Sequence, residues 1–284
     1  MGFTEWIRQY ENQRVLMITA LIVLVAAPFI KPIGLPVPIT ENTKMFYDRV
    51  ESIKAGDVVV VDFNFAASNW GELGAGSVAL LKQLIRKRAQ INFKIIIMTT
   101  MEGGPFMLTR SVEQVGGWSK VNFGEYGKDW VNLGFMAGGE PMIAAMATNF
   151  NSIYKNDERG TPVTQIPLMV EMKDANDIDL VIHFNMGADS DKYRKQWGVP
   201  YNKPVLQIVQ GIQVPTMVMY IKADQVHGII GSIRGAAEYE LLLRMPGEAV
   251  ISTDALSMGH IIVFVAIILG NVSFHLAEKK RRGT

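Results

Sequence analysis

The sequence predicts an α/β protein: an open, mostly parallel, Rossmann-like sheet with helices on both faces, flanked by an N-terminal and a C-terminal transmembrane helix. Three observations predict it. Uncharged apolar runs stand near both ends of the chain. Between them lie β-branched runs such as residues 57–63 (DVVVVDF), which have the character of strands buried on both faces. These runs alternate with helical patterns, and alternation implies parallel pairing through right-handed crossovers.

The first apolar run, residues 15–30 (VLMITALIVLVAAPFI), is short of the roughly 20 residues a span needs. Arg14 and Lys31 can complete it by snorkelling, which gives a membrane segment over residues 15–31. A secretory signal is the competing reading, but Lys31-Pro32 follows the run where a small-x-small cleavage site would stand. The second run, residues 258–276 (MGHIIVFVAIILGNVSFHL), has adequate length and leads into a basic tail at 277–284. It contains Gly259, Gly270, Asn271, Ser273 and His275. Small and polar residues in a span more often face another helix than lipid, so Gly270 and Asn271 are expected at a helix–helix or subunit interface. Arg8, Arg14 and the basic residues 279–282 outweigh Lys31, Lys44 and Arg244 on the other side of the spans. The positive-inside rule then places both termini in the cytoplasm and the domain outside the membrane.

Residues 1–14 form the cytoplasmic N-terminal segment, and residues 32–56 a linker with a short helix. Three prolines between positions 32 and 38 favour an extended spacer, and a helical pattern follows at 41–53. The α/β domain occupies 57–250. Strands are expected at 57–63, 93–100, 131–135, 178–184 and 205–209, about five in all. Helices are expected at 71–90, 105–115, 141–154 and 225–243. Residues 215–222 (PTMVMYIK) suit either a sixth strand or a helix.

Composition removes several functions. A net charge of +1 leaves no electrostatic footprint for nucleic acid. The absence of cysteine excludes disulfides, thiolate metal sites and a Cys nucleophile. The four histidines lack metal-ligand spacing, so no metal is expected, and no cofactor either. Neither a G-x-S-x-G elbow nor a phosphate-binding G-x-x-x-x-G-K-[ST] loop occurs, and Gly71, Gly74 and Gly76 lack the dinucleotide order. The sixteen methionines read as flexible core filler.

In open α/β sheets, ligands bind beyond the carboxyl ends of the strands. Those ends carry Asp62, Asn64, Ser68 and Asn69, then Thr99, Thr100, Glu102, Gly103 and Gly104, then Gly138, Gly139 and Glu140, then Asn185, Gly187 and Asp189, then Gln210 and Gly211. Asp62, Glu102 and Asp189 are the candidate catalytic acids. Asp62 follows a buried strand, where nucleophilic or metal-binding carboxylates sit; the plainer reading is an Asp that bonds backbone in its own loop. Gly103-Gly104-Pro105 and Gly138-Gly139-Glu140-Pro141 each place a Gly pair before a helix, which suits either a well-formed helix start or a close ligand approach. Gly228, Gly231 and Gly235 would line one face of the last domain helix and pack tightly within the chain or against another subunit. The Gly-rich turns before helices resemble those of membrane-tethered proteases of the crotonase type. The nucleophilic Ser of that type has no counterpart in residues 135–141 (FMAGGEP), and no family is assigned.

Without a complete catalytic constellation, the sequence favours a membrane-anchored binding or structural module over an enzyme. Its expected partners are the lipid bilayer and other copies of the chain or other membrane proteins, with a small-molecule ligand as a further option. The alternatives are an anchored hydrolase that uses the strand-end carboxylates, and a small-solute receptor.

Overall fold

The computed structural model of the chain describes residues 10–187 and 191–282. The chain divides into two compact units, Met1–Pro36 with Val250–Thr284, and Val37–Ala249.

The second unit is the α/β domain. Its described residues form α2 (Glu41–Glu51), β1 (Val58–Asp62), α3 (Trp70–Arg88), β2 (Lys94–Thr99), α4 (Gly104–Gln114), β3 (Trp130–Phe135) and α5 (Gly139–Thr148). They continue with α6 (Pro167–Glu171), β4 (Leu180–Asn185), β5 (Val205–Val209), α7 (Val214–Lys222), β6 (Ile229–Gly231) and α8 (Ser232–Leu242). One sheet holds six strands in the order β3-β2-β1-β4-β5-β6, every pair parallel. The order reverses direction between β1 and β4, which makes their carboxyl ends the topological switch point.

Valines 58 to 61 are buried on both faces, which is why β1 shows no polar alternation. On one face, Ile96, Met98, Val131, Ile143, Met146, Phe150 and Trp197 close a continuous core. Met142, Met169 and Met172 are buried in the same core, the role expected of an unbranched, adaptable side chain. The free edge of β3 is not bare. Gly127 N donates to Trp130 O at 2.7 Å, and Glu158 N to Asn132 O at 3.0 Å.

The sheet has one strand more than the five expected, because the helix anticipated over residues 225–243 does not form as a unit. Residues 225–228 are loop, Ile229–Gly231 form β6, and only Ser232–Leu242 is helical. The Gly228, Gly231 and Gly235 stripe on one helical face is therefore corrected: the three lie in a loop, at a strand end and in a helix. Each nonetheless sits in tight intrachain packing. A Cβ on Gly228 would lie 2.4 Å from Phe46 N, one on Gly231 2.6 Å from a Val214 methyl, and one on Gly235 3.1 Å from Ile230 C. The ambiguous segment at 215–222 is helical, as α7, with Pro215 in its first turn.

The first unit contains two helices long and apolar enough to cross a membrane, among the described residues: α1 (Tyr10–Ile30) and α9 (Glu248–Arg281). The apolar sequence of α9 was expected from residue 258, but the helix starts ten positions earlier. Its 34 residues rise about 51 Å, against roughly 30 Å of hydrocarbon. Asp254, in the extra turns, is fully buried. It accepts hydrogen bonds from Ile33 N at 2.9 Å and Gly34 N at 2.8 Å on Oδ2, and from Leu35 N at 3.0 Å on Oδ1. Gly259 is the small residue that meets α1, with a Cβ position 3.8 Å from Val25. Gly270 has open space around it, and Asn271 is exposed.

Candidate functional site

β1 ends on Asp62 and β4 on His183, Phe184 and Asn185, so the sheet's central crossover delivers polar side chains to one point. Asp62 is 0% exposed. It does not bond its own loop through its side chain. Its Oδ1 accepts from Thr100 N at 3.0 Å, and its Oδ2 from Thr100 Oγ1 at 2.6 Å and from Tyr193 OH at 3.1 Å. Lys192, 1% exposed, places Nζ 3.6 Å from the same Oδ2 and donates to Thr100 Oγ1 at 2.6 Å. His183 Nε2 is 3.7 Å from Asp62 Oδ2 and 3.3 Å from Asn64 Nδ2, and its ring packs against Tyr193 at 4.9 Å between centroids.

The electrostatics follow from burial. Desolvation raises the Asp62 carboxyl above the ordinary range, opposed by the Lys192 charge and by the hydrogen bonds from Thr100 and Tyr193. Desolvation, aided by Lys192, holds His183 well below its ordinary value and therefore neutral. Burial and the nearby Asp62 charge push the Tyr193 and Tyr154 phenols up, so both keep their protons. The cluster is a compensated ion pair inside a shell of neutral donors. Asp62 Oδ2 accepts two hydrogen bonds and Oδ1 one, and the carboxylate is 0% exposed among the described residues.

Of the other expected residues, only Asn64, Thr99 and Thr100 lie beside Asp62 among the described residues. Glu102 is exposed on the β2–α4 turn and has no hydrogen bond or ion pair to the cluster among the described residues. Asp189 lies outside the described residues. Glu140 turns to the segment after β4, accepting from Gln196 Nε2 at 2.8 Å, with Lys195 Nζ at 3.7 Å. Asn64 and Thr99 are buried beside Asp62, whereas Ser68 is exposed and bonds Asn69 at 3.2 Å. Asn185 Nδ2 donates to Gln207 at 3.1 Å. Gln210 Nε2 is 3.4 Å from Glu72, whose carboxylate also accepts from Gly211 N at 2.8 Å and Ser232 Oγ at 3.1 Å. A carboxylate of the chain itself thus occupies the first turn of α3, where the helix dipole favours negative charge.

The Gly pairs serve the chain's own packing. A Cβ on Gly104 would stand 2.5 Å from Phe63 O, and one on Gly103 3.2 Å from Ala66. The β2–α4 turn therefore docks on the loop after β1. A Cβ on Gly138 would meet Met142 at 2.6 Å, while Gly139 faces open space in a left-handed conformation. Beside Asp62 the switch point is filled by stacked rings. Phe63 lies 4.6 Å from Phe184, Phe65 5.1 Å from Phe184 and 6.5 Å from Trp70, and Arg110 covers Trp70 at 4.1 Å. Open space on the carboxyl side of the sheet is found instead at β6. A cleft of about 390 Å³ there is lined by Thr40, Thr43, Ser232, Arg234 and Glu238, among others. Glu238 is buried and held by Thr40 N at 3.0 Å and Thr40 Oγ1 at 2.6 Å.

Lys192, Tyr193, His183 and Tyr154 escaped the reading of the sequence. The only local signal was a Lys-Tyr pair shortly after β4; nothing in one sequence marks a lysine as buried. Among the described residues no group of three or more His, Asp and Glu side chains converges as metal ligands. No family model, no curated protein and no solved structure matches the chain.

Proposed function

We propose that the chain is a membrane-anchored binding or structural module, with its α/β domain on the extracytoplasmic side and both termini in the cytoplasm. It works as a subunit of a homo-oligomer or of a larger membrane complex. The observation that carries this reading is the state of Asp62: fully buried, paired with Lys192 and hydrogen-bonded by Thr100 and Tyr193. A hydrolytic acid or nucleophile needs an open face toward substrate, and its partner acid within reach. Glu102 is exposed and has no bond to Asp62 among the described residues. A small-solute receptor is the second reading, supported by the cleft at the carboxyl end of β6, where the hydroxyls of Thr40, Thr43 and Ser232 stand beside the Arg234–Glu238 ion pair and suit a polar solute.

Native mass measurement of the full chain in lipid nanodiscs or detergent tests the assembly. A multiple of 31.5 kDa is expected; a strict monomer without partner chains overturns it. A reporter fused to the C-terminus should be active only on the cytoplasmic side, and an extracytoplasmic reporter overturns the orientation.

A further inference from the structure

The amino half of the edge strand β3 carries a separate open site. Trp118 and Tyr126, on the chain leading into β3, join Trp130, Asn132, Glu158 and Arg159 around a cleft of about 320 Å³. Trp118 stacks on Trp130 with centroids 5.2 Å apart and planes at 14°. Trp130 is itself buried and wedged edge-on by Tyr126 at 4.8 Å and by Phe123 at 6.0 Å. This anchors a flat aromatic platform whose outer ring, Trp118, is 39% exposed. The polar rim is fixed too. Tyr126 OH donates to Asp157 at 2.7 Å, and Arg159 lies 3.3 Å over the Tyr126 ring. Asn132 Nδ2 donates to Glu158 Oε2. No hydrogen bond or ion pair engages the Arg159 guanidinium or Glu158 Oε1 among the described residues.

We infer that this cleft binds a saccharide. The apolar C–H face of a pyranose lies on Trp118, its hydroxyls accept from the Arg159 guanidinium, and they donate to Glu158 Oε1. The chemistry selects against the simpler charged ligands. Arg159 already occupies the Tyr126 ring face and repels a second cation. Glu158 and Asp157 beside it repel an anion. Opposite charges on a partly solvated rim are satisfied together by a neutral ligand whose groups both donate and accept, and hydroxyl groups do so. An aromatic wall with a few convergent polar groups is also the usual make-up of a small-molecule site.

The test uses the full chain in lipid nanodiscs, since glycosidic detergents would compete. Methyl glucoside, methyl galactoside, methyl mannoside and a linear tetramer of N-acetylglucosamine are titrated by calorimetry and tryptophan fluorescence. At least one should bind with a Kd of about 1 mM or tighter. Trp118→Ala should weaken it at least tenfold, Trp118→Phe less, and Arg159→Met measurably, with thermal stability unchanged in the Arg159 variant. Absence of binding by all four, or binding unaltered in both Trp118→Ala and Arg159→Met, overturns the inference. So does preferential binding of tetramethylammonium or inorganic phosphate. The site is distinct from the face of the sheet discussed above, so a monomeric native mass leaves this result untouched.

Discussion

Removal of the Asp254 carboxylate should release the chain just after the first apolar helix. Three backbone N–H groups, of Ile33, Gly34 and Leu35, converge on this one buried side chain at 2.8 to 3.0 Å. A hydrogen bond to a charged group contributes about 1.5–3 kcal/mol. Three independent bonds would sum to more, but they share one carboxylate, and freed amides on a partly exposed segment regain water. A local loss of about 3–5 kcal/mol for Asp254→Ala is the reasonable range. Hydrogen exchange in nanodiscs reads it directly, because a loss of about 3 kcal/mol speeds exchange at amides 33–35 by more than a hundredfold. Asp254→Asn, which keeps one carbonyl acceptor, should fall between wild type and Ala. Ser257→Ala removes only a bond to the Thr253 carbonyl and serves as the control. Unchanged protection of residues 33–35 in Asp254→Ala would refute the reasoning.

Lys192→Met leaves the Asp62 carboxylate buried without its cation and should cost about 3–5 kcal/mol near pH 7. The loss should shrink in an Asp62→Asn background, which denaturant melts of the four-member cycle would show. His183, with its folded pKa depressed, binds fewer protons folded than unfolded below about pH 6.5. Its contribution is therefore complete above that pH and is lost as pH falls, at up to about 1.4 kcal/mol per unit; melts from pH 8 to 5 should show this slope flattened in His183→Gln. Asp62, raised by burial, acts in the opposite sense: stability is lost as pH rises from its unfolded value through its folded one. Gly228→Ala drives a Cβ into the Phe46 backbone at 2.4 Å, in a conformation L residues rarely adopt, and should lower stability by about 2–3 kcal/mol in thermal melts.

Periodicity carried the fold. The valine run of β1, the isoleucines of β2 and the helix patterns between them fall where the strands and crossovers form, because each reports its own local burial. The failures share one cause. Strand β6 is three residues long and sits directly against a helix, so Ile229–Gly231 adds too little alternation to break a helical pattern. The glycines around it were read by their spacing, yet what requires glycine at 228 is the backbone of Phe46, far away in sequence. The site shows the same limit. Asp62 was visible as an acid at a strand end, but its partner Lys192 comes 130 residues later and looks like any solvated lysine in a charged loop.

The contents of the switch point bear on where binding can occur. A doubly wound sheet leaves its crevice at the carboxyl ends of β1 and β4 because the crossovers diverge there. In this chain the crevice holds Phe63, Phe65, Phe184 and Trp70 stacked together, with the Asp62–Lys192 pair beside them. A buried ion pair adds little net stability over an apolar replacement, yet half of it cannot be removed cheaply, so it fixes the segment after β4 in one arrangement. Glu72 similarly spends the first turn of α3 on Gly211 and Ser232 rather than on an external anion. The centre of the sheet is thus committed to holding itself together. Open clefts lined by polar or aromatic groups lie at its two margins, at β6 and in the Trp118 platform along β3. If the proposed binding at these margins holds, a ligand there would come and go without disturbing the ionic core.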